Sequence, residues 1–289
     1  MTPLGASSGI CPGPSTVSKS LAESFMIQEH LAAVISNDAI NAEYFHMKVD
    51  ASDCMLAAAP GQFFHLMCPP TAGGSPLLRR PMSIYRIDRM LRRVEFLYKV
   101  TGAGTRGLAT LRRGDRLNAF GPLGRGFHLP PGVEHVLMVA RGVGMATMAP
   151  LAEAAIAAGG RVTAVLSARR TDLLMSGDYL RSVGAQTVAV TDDDGSSAVP
   201  SVEALIRSLH AEEPIDLLAT CGSDRLLQLV KALSADLDIP GQVALEQHMG
   251  CAVGMCFACV RPFRNAGKST YKRVCCDGPV FDVSETISW

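Results

Sequence analysis

The sequence predicts a multidomain β plus α/β protein: an antiparallel β domain, then a doubly wound parallel sheet, then a small C-terminal segment built around cysteines. Three observations carry this. Short apolar runs broken by turn residues fill the stretch 25–131. Strand-like and helix-like runs alternate over 132–240. Five of the nine cysteines crowd into 251–276.

The elements follow in order. Residues 1–24, MTPLGASSGICPGPSTVSKSLAES, lack the basic start and apolar stretch of a secretory signal and read as a flexible tail. From 25 to 131 the runs YFHMKVD, APGQFFHLMC, RVEFLYKV and RRGDRLNAFGPLG recur at roughly 8–12-residue spacing, the rhythm of a sandwich or barrel. TAGGSP at 71–76 is a loop. HVLMVA is a buried strand, followed by the turn Arg141-Gly142-Val143-Gly144 and a helix APLAEAAIAAGG that stops on glycines. RVTAVLSA, QTVAVTDD and IDLLATCG are further strands, and VEALIRSLH and DRLLQLVKALSADL are helices. Alternation of this kind requires a parallel sheet covered on both faces. From 241 to 289 helical periodicity fades and the cysteines take over.

Composition excludes several classes of function. Basic and acidic residues balance at 27 each, so no net field favours nucleic acid as a partner. No apolar run approaches the roughly 20 residues of a membrane span. An odd count of nine cysteines, clustered, fits a reducing, cytoplasmic compartment and a metal site better than a disulfide framework.

The cysteine spacing is the sharpest signal. CAVGMCFAC sets Cys251, Cys256 and Cys259 in the C-x4-C-x2-C pattern of plant-type [2Fe–2S] ligation, with a further cysteine downstream. Closely spaced thiolates need a tight loop, and Gly250 and Gly254 permit its backbone angles. Zinc more often takes paired C-x2-C or Cys/His spacings. Cys275 and Cys276 are adjacent, and spacing alone does not choose between them as fourth ligand.

The β region carries phosphate-gripping patterns. Arg80-Pro81-Met82-Ser83 offers a planar charged fork and a hydroxyl. Lys99, Gly102, Gly104 and Thr105 lie in KVTGAGT, a glycine-rich turn whose N–H groups can face an anion. GPLGRGF at 121–127 is another such turn.

In this order the motifs resemble the ferredoxin–NADP reductase superfamily and, within it, the electron-transfer subunits of NAD-linked dihydroorotate dehydrogenase. The resemblance spans about 25–289 and is most specific at CAVGMCFAC and YKRVCCDGPVF. It implies an FAD-binding antiparallel β-barrel over 25–131, an NAD(P)-binding α/β domain over 132–240 and a [2Fe–2S] domain over 241–289. It places Arg80, Pro81, Met82, Ser83, Lys99, Gly102, Gly104 and Thr105 about FAD. Gly142, Gly144 and Gly222 fall at the dinucleotide, and Cys221 beside the nicotinamide. It selects Cys275 as the fourth ligand because that cysteine precedes x-D-G-P. Two positions depart from the family pattern: Arg141 stands where a glycine is usual, and Ser223 where Cys221-Gly222 is usually followed by proline.

A nicotinamide moves two electrons and a [2Fe–2S] cluster one, so a flavin between them completes an electron-transfer module. The resemblance implies a flavin-containing catalytic partner in a heterotetramer, within pyrimidine biosynthesis. A stand-alone reductase feeding another oxidoreductase or an oxygenase is the alternative. An iron–sulfur sensor or binding protein is a third possibility. Arg169-Arg170 follow the second strand, where a 2′-phosphate would distinguish NADP from NAD.

Overall fold

The computed structural model describes residues 27–265 and 267–287; the tail expected over 1–24 lies outside them. The first unit is a seven-stranded antiparallel sheet. Its strands are β1 (Gln28–Ala39), β2 (Tyr44–Asp50), β3 (Phe63–Leu66), β4 (Arg80–Ser83), β5 (Arg86–Asp88), β6 (Arg93–Lys99) and β7 (Arg116–Leu123). They lie in the order β4-β3-β7-β1-β2-β6-β5. The two end strands, β4 and β5, are separated in sequence only by Ile84 and Tyr85. A sheet whose first and last strands are joined by so short a link must curl round on itself, so the unit is an open barrel. Its interior holds Met47, Phe64, Leu66, Ile84, Phe96 and Tyr98, all buried. Two short helices, α1 (Asp53–Leu56) and α2 (Ala103–Leu108), interrupt the β pattern. The second forms within the glycine-rich turn after β6, where sequence pattern indicated only a turn.

The second unit is the alternating one. Its strands are β8 (His135–Arg141), β9 (Arg161–Ala168), β10 (Gln186–Thr191), β11 (Leu217–Cys221) and β12 (Gly241–Ala244), all parallel where they pair. Helices α3 (Gly144–Ala157), α4 (Gly177–Ser182), α5 (Val199–Glu212) and α6 (Asp224–Asp236) connect them. The order is β10-β9-β8-β11-β12. From β8 the chain runs outward to β9 and β10, then crosses back to β11. The boundary between β8 and β11 is therefore a topological switch point, where the strand ends splay and a ligand crevice opens. Helix α3 starts at Gly144, earlier than the APLAEAAIAAGG pattern indicates. Pro150 resembles a first-turn proline but lies inside the helix, and the turn before it is buried against the sheet.

A last strand, β15 (Val280–Asp282), returns from the cysteine-rich segment and pairs antiparallel with the outer edge of β12. Between them β13 (Val260–Asn265) and β14 (Lys268–Arg273) form a hairpin. Phe263 of the hairpin stacks on Phe281 of β15, with ring centroids 4.5 Å apart. The barrel reaches the same region: Arg125 N donates to Gly278 O at 2.5 Å, and Gln242 exchanges hydrogen bonds with the backbone of His128. Among the described residues no helix is long and apolar enough to cross a membrane.

Candidate redox site

The C-terminal ends of the parallel strands and one rim of the barrel enclose a cleft of about 220 Å³. Tyr44 and Lys99 face it from the barrel. Arg141, Gly142, Gly222 and Glu246 face it from the sheet side. Two glycine turns interlock at its base. A Cβ on Gly144 would stand 2.6 Å from the Cys221 carbonyl oxygen, and one on Gly222 would stand 2.6 Å from the Arg141 carbonyl oxygen. Gly142 and Gly222 also hold left-handed backbone angles, φ +55° and +85°. No larger residue satisfies both the angle and the approach. Helix α3 then begins at Gly144 with no side-chain cap; Met145 N and Ala146 N donate to the carbonyls of Gly142 and Val143 at 3.3 and 2.9 Å.

Cys221 ends β11 and is buried, and burial pushes its thiol well above the usual range. Gly222 rather than Cys221 lines the cleft. Glu246 lies close enough to raise the Cys221 thiol further. Glu246 opens onto the cleft, yet the protein packed around it desolvates the carboxyl and pushes it up. Burial likewise raises the Tyr44 phenol. No spacing rule marks Tyr44, because it reaches the cleft from an element remote in sequence from the glycine turns.

The barrel motifs meet as well. Arg80 and Ser83 bound β4, and the motif Arg80–Ser83 is half-buried throughout. The Arg80 Nε lies 2.7 Å from where a Gly104 Cβ would stand, so the missing side chain is what lets the guanidinium lie against α2. Arg80 is steadied by the carbonyls of Leu78 at 2.6 Å and Arg79 at 3.1 Å. Thr105 braces the turn, its hydroxyl accepting from Thr101 N at 2.9 Å and Gly102 N at 3.1 Å. Lys99 pairs with Glu43 at 2.5 Å and stands 5.6 Å from the Tyr44 ring centroid. The structure thus gathers Arg80, Gly104 and Thr105 on one side and Lys99 with Gly142, Gly144 and Gly222 around the cleft.

The cysteines form two pairs. Cys259 and Cys275 are both buried, with their sulfurs 3.1 Å apart. Cys251 and Cys256 hydrogen-bond to each other near the surface: Cys251 N donates to Cys256 Sγ and Cys256 N to Cys251 Sγ, each at 3.4 Å. Met255 N adds a donor to Cys251 Sγ at 3.2 Å. Burial raises the Cys251 thiol, but the backbone N–H groups of Val253, Cys256 and Met255 and the Cys256 thiol outweigh it and bring it to about 7. The loop is strained to do this. Ala252 and Phe257 both sit at φ +58° and Gly254 at +79°. Arg273 pins the loop to the later cysteines, donating to Gly254 O at 3.4 Å and to the Asp277 carboxylate at 3.1 and 3.2 Å. Val274 N donates to Cys259 O at 3.1 Å, which sets Cys275 beside Cys259. Cys276 is half-exposed, its sulfur 3.4 Å from that of Cys275. The outer pair is wrapped by N–H donors and the inner pair lies sulfur to sulfur; two pairs of thiols would suit a two-iron cluster, whereas zinc asks for four donors on one ion.

Residues 246–287 match the family model described as the iron-sulfur cluster binding domain of dihydroorotate dehydrogenase B. The electron transfer subunit of dihydroorotate dehydrogenase B (NAD(+)) from Desulforamulus reducens is 35% identical over 238 residues, 82% of this chain and 90% of that protein. Its counterpart from Geobacillus sp. is 31% identical over 266 residues, 91% and 100% of the two chains. A solved NADH-dependent reduced ferredoxin-NADP oxidoreductase, studied for flavin-based electron bifurcation, superposes with a TM-score of 0.74 at 26% identity over 90% of each chain. Ferredoxin-NADP+ reductase from Plasmodium falciparum shares the fold, with a TM-score of 0.57 at 13% identity over 75% of this chain and 96% of that one.

Proposed function

The chain belongs to the family of dihydroorotate dehydrogenase B electron transfer subunits, and from that membership we propose that it moves electrons between NAD(P)(H) and a catalytic partner subunit through FAD and one [2Fe–2S] cluster. A flavin exchanges a hydride's two electrons for single ones, and the cluster carries one at a time. The chain's own residues bind and position. Arg80 and the Gly102–Thr105 turn hold the FAD phosphates, with Ser83 and Lys99 beside them. Pro81 and Met82, between Arg80 and Ser83 in β4, would border the FAD. Gly142, Gly144 and Gly222 admit the dinucleotide at the switch point between β8 and β11. Gly222 and Glu246 line the wall at which the nicotinamide would stop, with Cys221 buried behind Gly222. Cys251, Cys256, Cys259 and Cys275 hold the cluster.

The observation that carries this proposal is the pairing of thiols. One pair is buried toward the protein and the other lies at the surface. That arrangement gives electrons an inner entrance and an outer exit. Around the exit stand Val253, Met255 and Phe257, apolar and exposed. Bare apolar surface of this kind suits a protein interface. We assign it to the catalytic subunit, in a heterotetramer of two copies each. Iron and flavin analysis of the purified protein tests the reading. It requires about two irons and one FAD per chain, with NADH-dependent reduction of an artificial acceptor. Zinc in place of iron, FMN in place of FAD, or no turnover would overturn it.

A further inference from the structure

We propose that Arg141 is an anion clamp for the pyrophosphate of the incoming dinucleotide, held in readiness by Asp192. The inference deepens the dinucleotide reading above and rests on it. Arg141 is the last residue of β8 and lines the cleft. Its Nη1 donates to Asp192 Oδ1 at 3.1 Å and its Nη2 to Asp192 Oδ2 at 2.5 Å, while Nη1 also donates to Ser167 Oγ at 3.2 Å. These contacts tie together the C-terminal ends of β8, β9 and β10. In a doubly wound sheet the pyrophosphate comes to the turn after the first strand, at the N-terminus of the helix that follows. Here that turn is Gly142-Val143, and α3 begins without a side-chain cap. Arg141 therefore stands beside the turn to which phosphate oxygens would come, where Met145 N and Ala146 N now donate to the carbonyls of Gly142 and Val143 at 3.3 and 2.9 Å.

The pair with Asp192 is built to be exchanged. The Asp192 side chain is 42% exposed and that of Arg141 19%, so water partly screens the bidentate pair. A pyrophosphate brings more charge, and its oxygens match the planar fork of an arginine. Asp192 is not stranded when Arg141 turns away. Ser197 Oγ donates to its Oδ1, and the Arg225 guanidinium stands 3.9 Å off. Glycine at position 141 would admit phosphate by backbone alone. Arginine adds a positive charge at the same point, and Asp192 and Ser167 hold it at the strand ends.

The test is calorimetric titration of the full-length protein with ADP-ribose, with NADH and with adenosine, comparing Arg141→Ala and Asp192→Asn with the unaltered chain. The clamp requires Arg141→Ala to weaken ADP-ribose and NADH by about tenfold or more. Asp192→Asn, which removes the competing carboxylate, should tighten both several-fold. Adenosine carries no phosphate and should bind all three proteins alike. Unchanged affinity in Arg141→Ala would make the residue a strut between strands, and tighter binding would make it an obstruction; either overturns the clamp. Equal weakening of adenosine would mark a collapsed site and overturn it too. Should Arg141→Ala fail to fold, Asp192→Asn decides alone, with tightening in favour and no change or weakening against. Failure of the unaltered chain to bind NADH or ADP-ribose at all would remove the dinucleotide reading and the clamp with it.

Discussion

Gly144 and Gly222 lie back to back, so close that a Cβ on Gly144 would stand 2.9 Å from the Gly222 Cα. One begins α3 and the other follows β11, and their contact fixes how the two strand ends part to open the cleft. Gly144→Ala forces backbone against backbone, which a side-chain shift does not relieve. We expect a loss of about 1–3 kcal/mol in unfolding free energy, together with weaker NADH binding. Urea denaturation and NADH titration measure the two. A variant as stable as the parent would show that the contact relaxes.

We propose Cys275 rather than Cys276 as the fourth ligand. Cys275 is buried against Cys259, whereas Cys276 faces partly outward. Cys276→Ser should retain the visible absorption and electron paramagnetic resonance of the cluster, and Cys275→Ser should lose or alter both. The opposite pattern would transfer the assignment to Cys276.

Arg80→Ala should release flavin. The guanidinium lies against Gly104, and loss of one charge-assisted contact to a phosphate is on the order of 1.5–3 kcal/mol, roughly 10–150-fold in affinity. Flavin content after extended dialysis is the measurement. Full retention would reduce Arg80 to a brace for its own loop.

Met255 and Phe257 are 78% and 64% exposed beside the outer thiols. Joint replacement of Val253 and Met255 by Glu should abolish capture of the catalytic subunit while NADH still reduces the bound flavin. An intact complex, or a cluster lost from the isolated chain, would mean that the loop is apolar for the cluster's sake and not for a partner's.

His65 in β3 gives the barrel an acid limit. Burial, then the nearby Arg79 charge, lowers its imidazole from 6.5 to about 4, and its Nε2 finds no hydrogen-bond partner among the described residues. The folded chain thus binds fewer protons than the unfolded one between those values, and stability falls as pH drops from 6.5 through about 4. The full effect is roughly 3 kcal/mol. Chemical denaturation at pH 7 and pH 5 should show the fall, and His65→Leu should flatten it. An unchanged pH slope in that variant would assign the acid sensitivity elsewhere.

The legible parts of this molecule are the local ones. The C-x4-C-x2-C spacing marks the strained loop because all its determinants lie within 251–259. The β and α runs of the second unit are read from their apolar pattern, since β8, β9 and β11 are buried almost throughout. What escaped depends on pairings distant in sequence. Arg141 and Asp192 meet across three strand ends, and Tyr44 enters the cleft from the barrel. Helix α4 leaves little trace, being one short turn and a half with a single buried residue, Leu180. The edge position of β15 is set by its partner β12, and nothing in the three residues Val280–Asp282 specifies it.

That last strand has a bearing on how such a protein can be taken apart. Because β15 comes back to cover β12, the cysteine-rich segment is an excursion from the nucleotide sheet, anchored at both ends, and not a bead at the end of a string. Truncation after residue 245 would leave the β12 edge bare, a template for pairing between chains and hence for aggregation. A chimera that borrows another cluster module must therefore be spliced at two joints, ahead of Glu246 and again before Val280. The same geometry means that insertions and deletions in the cluster module are tolerated only where they keep its two ends in register with a single strand edge.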